Sequence, residues 1–110
     1  MSTKNYYQNQ IDSIKTDIGK LKAEIASKNA RIKEYQKEKS EVRAYYQRQI
    51  ASASSSSTKA SYRSSLSAKL GSIDSYIASL RNQIDDIKRQ IAAKQTSLKQ
   101  AQENKKRAPK

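Results

Sequence analysis

The chain has 110 residues, a single small unit, with 23 Lys and Arg against 10 Asp and Glu and a net charge of +13. It has no Cys, His, Trp or Phe, and its Ile, Leu and Val number only 17. So few aliphatics under so much charge rule out a compact globule and leave a disordered basic chain or an elongated helical one with a narrow core.

The spacing of the apolar residues decides between these. From Lys4 to Gln49 they follow a 4,3 rhythm. Lys4, Ile11, Ile18, Ile25, Ile32, Lys39 and Tyr46 fall at heptad position a, and Tyr7, Ile14, Leu21, Lys28, Tyr35, Val42 and Gln49 at d. A second lattice follows, with Leu70, Ile77, Ile84, Ile91 and Leu98 at a, and Leu66, Ile73, Leu80, Ile87, Lys94 and Ala101 at d. Of the 17 aliphatics, 16 lie on these lattices and only Ile50 does not, where random placement would put about five. The pattern predicts two coiled-coil helices, over about 3–50 and 58–104.

The lattices are out of phase by three residues. Between them lies Ala51-Ser52-Ala53-Ser54-Ser55-Ser56-Ser57-Thr58. Serine propagates a helix poorly and caps one well, because its hydroxyl competes for backbone N–H groups. This predicts a Ser-rich loop over about 51–58, with Ser56 or Ser57 capping the second helix. A basic tail follows at 105–110, with Lys105, Lys106, Arg107 and Lys110.

Two helices of equal length around a short loop predict an antiparallel two-helix coiled-coil hairpin. Folding about residue 56 pairs residues whose numbers sum to 112, and every pair joins an a to a d. Tyr46 meets Leu66, Val42 meets Leu70, Tyr35 meets Ile77, Ile32 meets Leu80, Ile25 meets Ile87, Leu21 meets Ile91 and Ile14 meets Leu98. Three lysines each face an isoleucine: Lys39 with Ile73, Lys28 with Ile84 and Lys94 with Ile18. A lysine can lay its methylenes along the seam and keep its ammonium in water. The competing architecture is one unbroken helix in a parallel dimer, with the serine run as a stutter. Positions e and g do not choose between them: Lys15, Lys22, Arg43, Arg81 and Lys88 are basic, and their neighbours are largely Gln, Ser and Asn.

The composition narrows the chemistry. Without His or Cys there is no imidazole or thiolate zinc site, no Cys nucleophile and no Ser-His pair. The one adjacent carboxylate pair, Asp85-Asp86, points two ways on a helix and cannot share a substrate. No Gly-rich phosphate loop is present. The reading is therefore of a non-enzymatic protein with no cofactor and no small-molecule substrate. No apolar run approaches a membrane span and no signal peptide opens the chain, so membrane insertion is not expected and a cytoplasmic location is.

A single two-stranded seam with lysines in it is a thin core that calls for a partner. Tyr6, Tyr45, Tyr62 and Tyr76 fall on the outer faces, among Ala23, Ala26, Ala30, Ala68, Ala78 and Ala92. Tyrosines among small residues suit contact with another helix. Residues 1–50 carry a net +5 and residues 51–110 a net +8. This charge reads as spread round the helices, not gathered into one stripe. It fits a helical, acidic protein partner by charge complementarity. The alternatives are a small nucleic-acid-binding or packaging protein, whose arm would be the basic tail, and a structural coiled-coil component of a larger assembly.

The opening Asn5-Tyr6-Tyr7, followed by Ile11, Ile14, Ile18, Leu21 and Ile25 with Lys-rich spacers, and the two arms of about 45 residues resemble the accessory helical proteins encoded beside Leu-x-Gly toxins of type VII secretion. The resemblance implies a targeting factor or chaperone that packs lengthwise on a helical toxin domain, and export without a cleaved signal peptide. Two features of the related secreted hairpins are missing: the Trp-x-Gly turn, whose place is taken by Ser54-Ser55-Ser56-Ser57, and any Tyr followed four residues later by Asp or Glu. Export would then rely on the partner's signal.

Overall fold

A computed structural model of the chain describes residues 3–109. The chain is an antiparallel helical hairpin of two helices, α1 (Thr3–Ser52) and α2 (Ser56–Arg107). Every lattice position is buried or half-buried in both helices, including the four seam lysines and Gln49. The deepest are Ile11, Ile18, Ile32, Ile73, Ile77, Ile84, Ile87, Ile91 and Ala101, all 3–8% exposed. None of them is off the a/d lattices, so the heptad spacing alone selects the core.

The chain divides into two compact units. The first pairs α1 up to Ser27 with α2 from Gln83 onward. Its core is Ile18, Ile87 and Ile91, with Ile14, Leu21, Ile25 and Leu98 packed against them. That cluster contains three of the expected pairs whole: Ile14 with Leu98, Leu21 with Ile91 and Ile25 with Ile87. Polar contacts keep the same register. Lys94 Nζ donates to Asp17 Oδ2 at 3.2 Å, and Lys105 Nζ donates to Gln8 Oε1. The numbers in these pairs sum to 111 and 113, one residue either side of 112.

The second unit is Lys28–Asn82 and contains the turn. Ile32, Ile73 and Ile77 are its buried residues, while Tyr35, Val42, Tyr46, Leu66, Leu70 and Leu80 are half-buried. Lys39 Nζ lies 2.7 Å from Asp74 Oδ1. Lys39 and Lys94 thus end on carboxylates, where the sequence suggested water. Each aspartate sits at a position flanking the seam, within reach of a lysine whose methylenes lie in it.

The serine run is shorter as a loop than its composition suggests. Helix continues through Ser52, whose hydroxyl donates to the carbonyl of Arg48 at 2.9 Å, and resumes at Ser56. Between the two helices, residues 53–55 are non-helical. The N-cap is Ser55, not Ser56 or Ser57: its Oγ accepts from the backbone N–H of Thr58 at 3.1 Å and lies 2.7 Å from Thr58 Oγ1. An acceptor at N-cap satisfying the N–H of N3 is what the start of a helix lacks.

The far end of α2 also extends past its expected limit of 104, through Arg107. Lys105, Lys106 and Arg107 form its last turn, where cations are favoured by the helix dipole. Lys105 extends the a series seven residues beyond Leu98 and is half-buried. The tail residues 105–107 are therefore helix; Lys110 lies outside the described residues.

Candidate partner-binding surfaces

A two-helix hairpin has no third layer, so the sides of the seam stay open. In an antiparallel pair, one side is flanked by e positions of both helices and the other by g positions.

In the second unit the g side carries Tyr45, Tyr62 and Tyr76. Tyr76 is 56% exposed and Tyr45 49%. Tyr76 stacks on Tyr35, with ring centroids 5.4 Å apart and planes 16° from parallel. The guanidinium of Arg31 sits 5.5 Å from the Tyr35 centroid. Tyr76 also lines a shallow groove floored by Val42 and Ile73, with Glu38, Ala68, Lys69 and Ser72 around it. Tyr45 meets Tyr46 edge-on at 5.2 Å. Tyr62 differs from the expectation of an outer-face residue: it is half-buried and packs on Tyr46 at 6.2 Å.

In the first unit Tyr6 is 57% exposed and meets Tyr7 edge-on at 5.2 Å. The e side of this unit is lysine-rich. Two grooves adjoin there and share Lys15. Ile11, Ile18 and Leu98 form their floor. Lys4, Lys15, Lys22, Lys105 and Lys106 line them, with the amides of Gln8, Gln95 and Gln102 between. No carboxylate lines either groove. Asp12 approaches from outside, accepting from Gln8 Nε2 at 2.8 Å. On the g side of the same unit, the groove over Ile14 and Ala101 is lined by Gln10, Thr96, Ser97, Gln100 and Asn104, with no charge at all.

Other basic residues of this unit, among them Lys20, Lys88, Arg89, Lys99 and Arg107, line neither groove, but the two grooves together collect lysines without a carboxylate. Five lysines gather on one side. The sequence signal was present in part: Lys15 and Lys22 are consecutive e positions on either side of Gly19. What was missing was the side chosen by Lys4, Lys105 and Lys106, which depends on how α2 ends.

Gly19 belongs to the same groove. It is helical, without positive φ, and a Cβ built there meets nothing within 4 Å. Gly71, in the second unit, is equally open.

Among the described residues, no group of Asp and Glu is placed to hold a metal ion, and no helix is long and apolar enough to cross a membrane. No protein-family model, curated protein or solved structure matches the chain.

Proposed function

We propose that the hairpin is a non-enzymatic adaptor that packs lengthwise on an acidic helical protein. The observation that carries this reading is Tyr76. It is more than half exposed, yet held in place by stacking on Tyr35, beside a groove with an aliphatic floor. A pre-positioned tyrosine beside an apolar shelf has the anatomy of an interface anchor, because little side-chain entropy remains to be lost on binding. The net charge of +13 selects an acidic partner.

Within this class we favour a targeting role for a Leu-x-Gly toxin of type VII secretion. The support is the Asn5-Tyr6-Tyr7 opening and the two long arms. Native purification tests the reading. The adaptor emerges with a stoichiometric helical protein, and Tyr76→Ala weakens that complex by about tenfold or more, as truncation of an anchor does. Recovery with nucleic acid alone, stripped by high salt, contradicts it.

One observation favours the second reading, a nucleic-acid-binding protein. Residues 42–73 contain Arg43, Arg48, Lys59, Arg63 and Lys69 and no Asp or Glu, interleaved with Tyr45, Tyr46 and Tyr62. Arginines for phosphates beside rings for bases suit a single strand. That reading expects an affinity that falls steeply with salt and with Arg48→Gln and Arg63→Gln.

A further inference from the structure

We infer that the lysine-lined groove of the first unit is the docking site of an acidic amphipathic helix, with Gly19 at the point of closest backbone approach. The inference rests on the adaptor reading and adds to it a contact on the first unit, separate from the Tyr76 shelf of the second, with the chemistry it takes.

Three features converge. The first is charge: Lys4, Lys15, Lys105 and Lys106 line one of the two adjoining grooves, Lys15 and Lys22 line the other beside Gly19, and no carboxylate lines either. Among the described residues, the ion pairs of Lys39 with Asp74, Arg89 with Asp86 and Lys94 with Asp17 all lie outside these grooves. The second is the floor. Leu98 is half-buried and open from the side, while Ile11 and Ile18 are all but covered, so an apolar side chain laid there gains contact chiefly with Leu98 and the methylenes of the lining lysines. The third is Gly19. A glycine inside a helix lowers its stability by about 1 kcal/mol relative to alanine. Neither backbone conformation nor crowding within the hairpin requires it here. The missing Cβ instead leaves the rim of the groove low, where a second helix backbone can approach.

The spacing fits a helix. Lys15, Gly19 and Lys22 follow one another at i, i+4 and i+7 on one face. Lys15 and Lys22 are about 10.5 Å apart along the axis, the rise of seven helical residues. A facing helix with carboxylates seven residues apart meets both, and its apolar residues between them fall towards Ile18 and Leu98. The same lining disfavours nucleic acid. It contains no arginine to grip a phosphate in two places and no aromatic ring to stack on a base.

The test uses the full chain and a synthetic amphipathic helical peptide with Glu at heptad spacing and Leu between. Its controls are the same peptide with Gln for Glu, and a single-stranded oligonucleotide of equal charge. Binding is read by fluorescence anisotropy at several salt concentrations. The Glu peptide binds and the Gln peptide binds at least about tenfold more weakly, as expected where charge selects the partner. Lys15→Gln with Lys22→Gln loses about the same factor. Gly19→Leu also weakens binding, while its melting temperature is no lower than that of the parent. Tyr76→Ala leaves peptide binding unchanged. Equal binding of the Glu and Gln peptides, full binding by Gly19→Leu, or displacement of the peptide by the oligonucleotide at lower concentration each overturns the inference. A native partner that is retained in full by Lys15→Gln/Lys22→Gln overturns it too, and leaves the adaptor reading standing.

Discussion

The two glycines give the most discriminating prediction about the isolated protein. Gly19 and Gly71 are interior helical residues with ordinary helical dihedrals and no atom within 4 Å of a built Cβ. Replacing either with alanine adds a methyl group to open solvent, so no packing strain opposes the change. What remains is the backbone term. Glycine loses more conformational freedom on folding than alanine, and the difference in a helix interior is about 0.8–1.0 kcal/mol. For a chain of this size, 1 kcal/mol raises the melting temperature by roughly 4–8 °C. Far-UV circular dichroism melts of Gly19→Ala and Gly71→Ala should each show that rise. The sites lie in different units, so the double substitution should be additive to within about 0.5 kcal/mol. A lower melting temperature for Gly19→Ala would refute the reasoning. It would mean that the methyl group meets an atom in solution that the hairpin itself does not supply, as when a second copy of the chain lies over that face.

Other substitutions test the seam and its ends. Ile18→Ala and Ile87→Ala, in the core of the first unit, should each destabilise by about 2–4 kcal/mol in urea titrations, near the lower part of the range for buried isoleucines because the seam is only two helices wide. Ser55→Ala should cost about 1 kcal/mol by removing the cap on Thr58, whereas Ser56→Ala and Ser57→Ala should each change stability by less than about 0.5 kcal/mol. A double-mutant cycle on Lys39 and Asp74 should give a coupling below about 1 kcal/mol that shrinks with salt, since the aspartate side chain is 55% exposed.

The core was legible because a heptad seam encodes it redundantly. Each a or d residue is supported by neighbours three and four positions away, and the two out-of-phase lattices fix the antiparallel register by requiring that seams meet. The ends of the helices were less legible. Serine is a weak helix former but not a breaker, so tertiary packing carries α1 through Ser52, and of three adjacent serines only geometry shows that Ser55 is the cap. At the other terminus, a Lys/Arg run reads as a solvated tail until Lys105 is recognised as the next a position, lying against Gln8. The surfaces were legible in kind but not in place. Tyr6, Tyr45 and Tyr76 are exposed as their positions suggest, whereas Tyr62 is drawn onto Tyr46. The lysine groove combines residues from distant parts of the sequence, so no single window shows it.

The central claim is that one chain folds back on itself with the two seams in register. It is tested most directly by cysteines at two facing seam positions, Ile25→Cys with Ile87→Cys, oxidised at low protein concentration in a chain that has no other cysteine. The hairpin predicts a monomer carrying one intrachain disulfide, seen as a compact band on a non-reducing gel and as a linked peptide pair by mass spectrometry. Disulfides formed only between chains would contradict it and favour the long parallel dimer.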